Sequence, residues 1–304
     1  MRRCDSRPLA RRAAVSPPRT TPEKDIRRGP EVQAFLRWTP PGGTLGTICR
    51  EAEARAARLD AHAAQLEAEA ASAPAAPSLD AALRASDVRL IAEVKRRSPS
   101  KGAIAPALDA ATQASAYVAG GAAAISVLTE PAHFGGSPED LRAVRAVVAV
   151  PALKKDFHVR PIQLVEARAL GASAALLIAR ALAPDRLHEM IDAARRLDLE
   201  VLVEVRDEAE LDRALECGAT MIGVNNRDLE TLVIDPSTAE RLIPRIPAGL
   251  LAIAESGVSV RQDVERYAAS GADAVLVGSS ISAAADPVEA TRALAGVSRR
   301  SRGD

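Results

Sequence analysis

Charged side chains stand at the ends of several apolar runs in this sequence. Residues 90–102, "LIAEVKRRSPSKG", begin as an apolar run that Glu93 and Lys95 interrupt. On a strand, this spacing of two directs both side chains to the same face, just before the strand ends. An acid and a base in that position could exchange protons with a ligand, or they could form a structural ion pair.

The elements that position these polar residues follow a regular pattern. Eight apolar runs alternate with amphipathic, helix-like segments. The runs are "VRLIAEV", "AAAISVLT", "VPALKKDF", "ASAALLIA", "LEVLVEV", "ATMIGVNN", "GLLAIAES" and "ADAVLVGSS". Nearly continuous apolar runs of this length are typical of parallel strands that are buried on both faces. Eight βα units predict an α/β fold of the (β/α)8 TIM barrel type. An open doubly wound sheet is the alternative, but "KRRSPSKG" lacks its GxGxxG fingerprint.

Two regions precede the predicted barrel. The stretch "TICREAEARAARLDAHAAQLEAEAASA" predicts one long helix, and "SLDAALRA" predicts a short one. We expect residues 44–304 to form the barrel with these N-terminal capping helices. Residues 1–43 hold 10 Lys and Arg against 4 Asp and Glu, are rich in Pro, and predict a disordered basic extension. A binding role for this extension is an open alternative.

The composition excludes several classes of function. The formal net charge is zero, which gives no support for nucleic-acid binding, and no apolar run approaches the length of a membrane span. Cys4, Cys49 and Cys217 lie far apart, which fits a reducing cytoplasm rather than a disulfide framework or a zinc site. The four histidines show no HxH or HExxH spacing, so we expect no metal.

Further polar residues follow the other predicted strands at their carboxyl ends, where barrel enzymes place their chemistry. They are Lys155 after strand three, Glu204 after strand five, Asn225 and Arg227 after strand six, Glu255 and Ser256 after strand seven, and Gly278 and Ser279 after strand eight. Two lysines and three glutamates that converge on one mouth exceed what packing requires, because buried charge is costly unless it is paired. The pattern therefore favours a catalytic cluster over a set of structural ion pairs.

Glycine and serine residues predict a phosphate site at the same mouth. "ESGVS" and "VGSS" follow strands seven and eight, and backbone N–H groups near Gly257, Gly278 and Ser279 could hold a dianion. Ser98, in the loop after strand one, could add a hydroxyl donor. We therefore expect a small phosphorylated molecule as the substrate.

Long motifs in a fixed order carry a family resemblance. "IAEVKRRSPSKG", "SVLTEPAHFGGS", "LKKDF", "LVEV", "IGVNNRDL", "AESGVS" and "VLVGSS" closely resemble the motifs of indole-3-glycerol phosphate synthase, a lyase (decarboxylase) of tryptophan biosynthesis. The resemblance covers about residues 45–297. It implies that 1-(2-carboxyphenylamino)-1-deoxyribulose 5-phosphate is converted to indole-3-glycerol phosphate with loss of CO2 and water. It also implies acid–base chemistry with no cofactor.

The resemblance assigns catalytic roles to matching positions. Lys155 matches the family's general acid, and Glu204 matches its general base. Lys95 matches a second lysine that contacts the substrate, and Glu93 would hold Lys95 in place. Asn225 matches a residue beside the polar groups of the substrate. The resemblance leaves open which lysine serves which step.

The remaining matches concern substrate binding. Arg227 is suited to the substrate carboxylate, and Phe157 and Leu128 match apolar contacts to the anthranilate ring. The other matches lie at the mouth or in the phosphate site, namely Ser98, Glu255, Ser256, Gly257, Gly278 and Ser279. The chain departs from the family at His133 and Phe134, where two aromatic residues are common.

Two competing functions are less well supported. Phosphoribosylanthranilate isomerase is a barrel with a similar phosphate site, but it carries a Cys base where this chain has Glu93 and Lys95. A barrel that binds phosphate ligands without catalysis is disfavoured, because Lys155, Glu204 and Lys95 are all retained. We expect a cytoplasmic enzyme without nucleic-acid or membrane partners. The oligomeric state is open, with a monomer as the working expectation.

Overall fold

Eight parallel strands close into a barrel in the computed structural model, which describes residues 39–302. The strands are β1 Asp87–Val94, β2 Ala124–Leu128, β3 Ala152–Lys155, β4 Ala174–Ile178, β5 Glu200–Val205, β6 Met221–Asn225, β7 Leu251–Glu255 and β8 Ala274–Val277. Each strand pairs with the next along the chain, and β8 pairs with β1 through Ile91 and Leu276. Every predicted apolar run forms a strand, and the predicted (β/α)8 barrel is confirmed.

Helices connect the strands and cover the barrel from outside. Those before β1 are α1 Gly43–Leu59, α2 Ala63–Ser72 and α3 Leu79–Leu83, and those that follow are α4 Ala110–Ala119, α5 Pro131–Phe134, α6 Pro138–Val147, α7 Pro161–Ala169, α8 Pro184–Arg196, α9 Glu208–Glu216, α10 Ser237–Leu242, α11 Arg261–Ala269, α12 Ser279–Ser282 and α13 Pro287–Leu294. Local signals explain their limits. Asp207 caps α9 by accepting from Glu210 N, and Gly218 follows that helix with a φ of +78°, which glycine adopts without strain.

The long helix predicted before the barrel is in fact two helices. A 3₁₀ turn at Asp60–His62 separates α1 from α2, so the prediction of one continuous helix is wrong. Asp60 accepts a 2.8 Å hydrogen bond from Arg160, in the loop after β3, and this contact holds the turn against the barrel. Helix α1 begins at Gly43, one residue before the predicted boundary, and residues 1–38 of the predicted basic extension lie outside the described residues.

The interior of the barrel is filled by aliphatic side chains. Ile91, Leu153, Leu202 and Ile253 are fully buried and each lies two residues before a charged residue of its own strand. Because side chains two apart on a strand share a face, these residues fill the barrel below the charged groups. Aromatic residues make up only 2% of the chain, so the core consists mainly of Ala, Val, Leu and Ile.

The amino-terminal end of the barrel is closed by the end of the chain. Val297–Ser298 pairs antiparallel with the start of β1, and Arg302 donates to Asp273 at 2.6 Å. These contacts close the end opposite to the charged mouth. Within residues 39–302, none of the helices has both the length and the apolar character needed to cross a membrane.

Candidate active site

A lysine surrounded by three carboxyl groups lies inside the mouth of the barrel. Lys155, the last residue of β3, places its Nζ 3.4 Å from Glu255 Oε2 and 3.6 Å from Glu204 Oε2. Glu93 Oε2 lies 4.0 Å from the same nitrogen. These four side chains come from β1, β3, β5 and β7, so only closure of the barrel brings them together. The predicted convergence of charges is observed.

A second lysine joins the cluster from the end of β1. Lys95 Nζ donates to Glu93 Oε1 at 3.0 Å, and Ser126 Oγ donates to Glu93 Oε2 at 3.4 Å. Both side chains of the 93/95 pair therefore point to the inner face, as their spacing predicts. Glu93 and Lys95 do form an ion pair, but this pair lies beside Lys155 at the mouth of the barrel and is part of the same charged cluster.

Burial and the neighbouring charges set the protonation states. Burial alone would lower the pKa of Lys155, but the carboxylates of Glu255, Glu204 and Glu93 raise it well above its usual range. Burial opposes ionisation of Glu93 as well, yet Lys95 and Lys155 bring the pKa of Glu93 below its ordinary value. Burial raises the pKa of Glu255 to about 8, and the like charges of Glu204 and Glu93 act in the same direction. The ammonium group of Lys155 opposes this rise. Lys155 is thus a persistent cation, and Glu255 is the carboxyl group of the cluster whose pKa burial raises.

Two glycines make room for the carboxyl groups. A Cβ on Gly223 of β6 would lie 2.0 Å from Glu255 Oε1, and a Cβ on Gly278 would lie 2.6 Å from Glu93 Oε1. Glu255 Oε1 is buried and has no hydrogen-bond partner among residues 39–302. The carboxyl groups therefore occupy space that larger residues at 223 and 278 would fill.

Most of the predicted site residues line one cavity at this mouth. These are Glu93, Lys95, Ser98, Leu128, Lys155, Phe157, Glu204, Asn225, Arg227 and Ser256. The apolar wall of the cavity includes Phe157 and Phe134, whose ring centroids are 6.2 Å apart, and Lys95 Nζ lies 5.7 Å above the ring of Phe134. A planar aromatic group could therefore pack beside the charged cluster.

Four predicted site residues do not line the cavity. Glu255 lies beneath it, 2% exposed and in contact with Lys155. Gly257, Gly278 and Ser279 follow β7 and β8 at the same end of the barrel, and Ser279 begins the short helix α12. Gly257 has a φ of +86°, a left-handed conformation that favours glycine. Their positions beside the mouth agree with the predicted phosphate site, which stays a prediction.

The turn after β6 orients two further predicted residues. Asn225 Oδ1 accepts from the backbone N–H of Arg227 at 3.0 Å, which fixes the amide of Asn225 at the end of the strand. The guanidinium of Arg227 donates to Leu232 O at 2.9 Å, and burial lowers its pKa. Both side chains are therefore held at the edge of the cavity before any ligand binds.

The cavity also contains residues that the sequence reasoning did not assign to the site. Apart from Phe134, they come from α1, β4 and the loops after β1, β3 and β6, namely Thr44, Leu45, Ile48, Pro99, Ser100, Asp156, Leu176, Ile178, Leu229 and Leu232. Leu176 and Ile178 lie two apart at the end of β4, a spacing that places them on one face. Helix α1 gave no local signal of this contact, because its apolar stripe fits any packed helix.

A second charged network surrounds Lys154, whose ammonium group contacts helix α7. Lys154 donates to Glu166 at 2.8 Å, and Asp156 accepts from Arg55 of α1 at 2.7 Å. His158 donates from Nδ1 to Leu176 O at 2.7 Å while Nε2 faces Lys154, so the ring is neutral. Burial, assisted by Lys154, lowers the pKa of His158 to about 3. This network joins α1 to the barrel, and Asp156 is the member that also lines the cavity.

One group of side chains has the composition of a metal site. Ligand atoms of Glu51, Glu130 and His133 lie within 4.8 Å of one another. Glu130 accepts from the backbone at the start of α5 and pairs with Arg55, while His133 Nε2 contacts Glu51 at 2.7 Å. Because these side chains already have partners and a guanidinium lies beside them, we assign no metal to them.

Known proteins share both the sequence and the fold. The family model described as indole-3-glycerol phosphate synthase matches residues 46–294. An indole-3-glycerol phosphate synthase of Rhodococcus jostii is 50% identical over 248 residues, which cover 81% of this chain and 92% of that protein. Indole-3-glycerol phosphate synthase 1 of Streptomyces coelicolor is 53% identical over 218 residues, 71% of this chain and 81% of that protein.

A solved structure extends the comparison at the level of the fold. The 3-hexulose-6-phosphate synthase of Salmonella typhimurium superposes with a TM-score of 0.56 at 20% identity, covering 68% of this chain and 96% of that chain. At this identity the likeness concerns the barrel alone. The family match spans most of α1 and the whole barrel, and it includes every strand end that contributes to the charged cluster. This chain therefore belongs to the indole-3-glycerol phosphate synthase family.

Proposed function

We propose that this chain acts as a carboxy-lyase on 1-(2-carboxyphenylamino)-1-deoxyribulose 5-phosphate and forms indole-3-glycerol phosphate, CO2 and water. The observation that carries the proposal is the Lys155 ammonium group, which faces a partly apolar cavity with Glu204 and Lys95 beside it. A fixed cation next to an acid–base pair and an aromatic wall is what ring closure of an anthranilate derivative requires.

In the first step, the ring carbon that bears the carboxylate attacks the C2 carbonyl of the ribulose chain. A carbon–carbon bond forms and the carbonyl π electrons move to oxygen. Lys155 donates a hydrogen bond and then a proton to this oxygen. Its raised pKa keeps it charged for this task, and an alkoxide is a stronger base than the amine that remains.

Loss of CO2 and then of water completes the indole. The bond to the carboxylate breaks, its electrons restore the aromatic ring, and no oxidant is needed. The hydroxyl on the former C2 then leaves as water, for which Lys95 supplies a proton. Glu204, 3.6 Å from Lys155, accepts the proton that the intermediate releases. The support for these roles is that Glu204 and Lys95 line the same cavity as Lys155.

Binding uses the two chemically different parts of the cavity. The anthranilate ring packs against Phe157 and Leu128, and its carboxylate lies near Arg227. The phosphate is held by backbone N–H groups of Gly257, Gly278 and Ser279, with Ser98 as a further donor. The support for this assignment is the position of all four residues at the carboxyl ends of β1, β7 and β8.

We also propose a monomer that works in the cytoplasm. Cys49 and Cys217 are buried free thiols, and burial raises the pKa of the Cys49 thiol to about 12, so it is unreactive. Light scattering of the purified protein checks the oligomeric state, and a dimer mass would refute the monomer.

The decisive assay follows indole fluorescence after the proposed substrate is mixed with purified protein and a chelator. We expect a protein-dependent rise, and Lys155→Ala should lower kcat by at least about 10²- to 10⁴-fold without loss of fold. Lys154→Met is the matched control, because Lys154 is the adjacent buried lysine and pairs with Glu166 of α7 instead of the carboxyl groups of the mouth. It should lose stability and keep its turnover. Near-normal turnover of folded Lys155→Ala would contradict the assignment.

A further inference from the structure

Asn226 lies beside Asn225, a predicted site residue, but faces a different environment. It is completely buried, and its amide Nδ2 donates to Ser256 O and to Tyr267 Oη, both at 2.9 Å. Its Oδ1 accepts from Ala239 N at 2.9 Å. One side chain thus joins the end of β6 to the turn after β7 and to helices α10 and α11.

The turn that Asn226 holds has an unusual backbone. Ser256 has a φ of +65° and the next residue, Gly257, has a φ of +86°. The left-handed region is unfavourable for a serine and persists only where surrounding contacts enforce it. The backbone N–H of Asn226 donates to Glu255 O at 3.0 Å, so residue 226 bonds to both of the carbonyls that flank the start of this turn.

We propose that Asn226 is a positioning residue for phosphate binding. Its amide holds Ser256 in the left-handed conformation, and this directs the Ser256–Gly257 turn toward the mouth of the barrel. The inference rests on the proposed function, in which this turn contributes to the phosphate site. Asn226 does not contact the cavity, so it acts on the ligand only through the turn.

The contacts of Asn226 separate this role from a general contribution to stability. Two of its three side-chain hydrogen bonds, those with Tyr267 and Ala239, connect elements outside the mouth. The third, with Ser256 O, is the contact through which the side chain can affect the turn. A variant that removes only the Tyr267 hydroxyl therefore keeps the hydrogen bond from Asn226 to Ser256 O, and it provides a matched control.

The test compares Asn226→Asp with Tyr267→Phe by steady-state kinetics, with inorganic phosphate as a competitive inhibitor. Aspartate keeps the acceptor for Ala239 N but loses the amide donors. We expect KM and the phosphate Ki of Asn226→Asp to rise about ten-fold, as for loss of a buried hydrogen bond plus release of a strained turn. The kcat should stay within about three-fold of the original value. Tyr267→Phe should unfold at lower urea concentration while its phosphate Ki changes less than about two-fold.

Each result has a definite meaning. Equal rises of the phosphate Ki in both variants would overturn the proposal, since a general loss of structural stability would then explain the effect. An unchanged Ki in folded Asn226→Asp would also overturn it while leaving the phosphate site in place. If phosphate does not compete with substrate even in the unaltered protein, the assignment of the turn to phosphate fails, and the inference fails with it. Should Asn226→Asp not fold, Asn226→Ser is measured by the same criteria.

Discussion

Replacing Gly223 by alanine should slow the reaction from a position that does not line the cavity. The new Cβ would lie 2.0 Å from Glu255 Oε1, and ordinary contact begins at 3.4 Å, so the carboxyl group must move by about 1.4 Å. Glu255 contacts Lys155 at 3.4 Å, so this displacement reaches the proposed acid. A misplacement of about 1 Å can cost about 10²-fold in rate, and we expect a loss of kcat of that size.

The stability of Gly223→Ala should change less than its activity. Overpacking costs about 1–3 kcal/mol, and replacing glycine within a strand returns about 0.5–1 kcal/mol, so the net loss is about 0–2.5 kcal/mol. Urea unfolding measures this value, and the fluorescence assay measures kcat.

Two further variants make the Gly223 experiment decisive. Gly249→Ala is the control, because a Cβ at Gly249 meets nothing within 4 Å, and it should leave both quantities unchanged. Gly223→Ala combined with Glu255→Asp should regain stability, because the shorter side chain withdraws from the added methyl group. Turnover and stability of Gly223→Ala at the original values would refute the reasoning.

Three other predictions follow from separate parts of the structure. The pKa of His158 is about 3 in the folded protein and 6.5 ordinarily, so its contribution to stability is complete above pH 6.5 and falls as the pH falls. Urea unfolding should show that the free energy of unfolding is about 2 kcal/mol lower at pH 5 than above pH 6.5. If His158→Gln showed the same decrease, protonation of His158 would not be its cause. Glu230→Ala removes the carboxylate that accepts a hydrogen bond from Thr44 N at 2.8 Å at the start of α1. Because α1 lines the cavity, KM should rise about five-fold. An unchanged KM would show that this hydrogen bond is not needed to position α1. Phe134→Leu removes the ring beneath Lys95, and KM should rise about three- to ten-fold with kcat less affected; a fall in kcat alone would instead assign the ring to the chemistry.

The barrel could be predicted because its strands carry the signal in their own residues. A strand buried on both faces reads as a continuous apolar run, and each of the eight runs is terminated by polar residues or glycine. The break between α1 and α2 could not be predicted in this way. It depends on Asp60 meeting Arg160, a contact between residues that are 100 positions apart.

The sequence predicted which residues lie at the candidate site but not how deeply each one is buried. Lys155 and Glu204 follow apolar strands, so their position at the mouth follows from the topology of a parallel barrel. Glu255 ends its strand in the same manner, yet it lies beneath the cavity because Gly223 on the neighbouring strand leaves space for its carboxyl group. The difference between a lining residue and a buried one is set by the neighbour across the sheet.

The sequence by itself determined the family, the alternation of strands and helices, and the residues at the strand ends, since these depend on local spacing and on the order of motifs. Only the tertiary structure decided which of two adjacent residues faces the chemistry. Lys155 points into the barrel and Lys154 points out to Glu166, and Asn225 borders the cavity while Asn226 holds the Ser256 turn. The physical reason is the pleat of the strand, which sends neighbours to opposite faces, combined with barrel closure, which alone settles what each face meets.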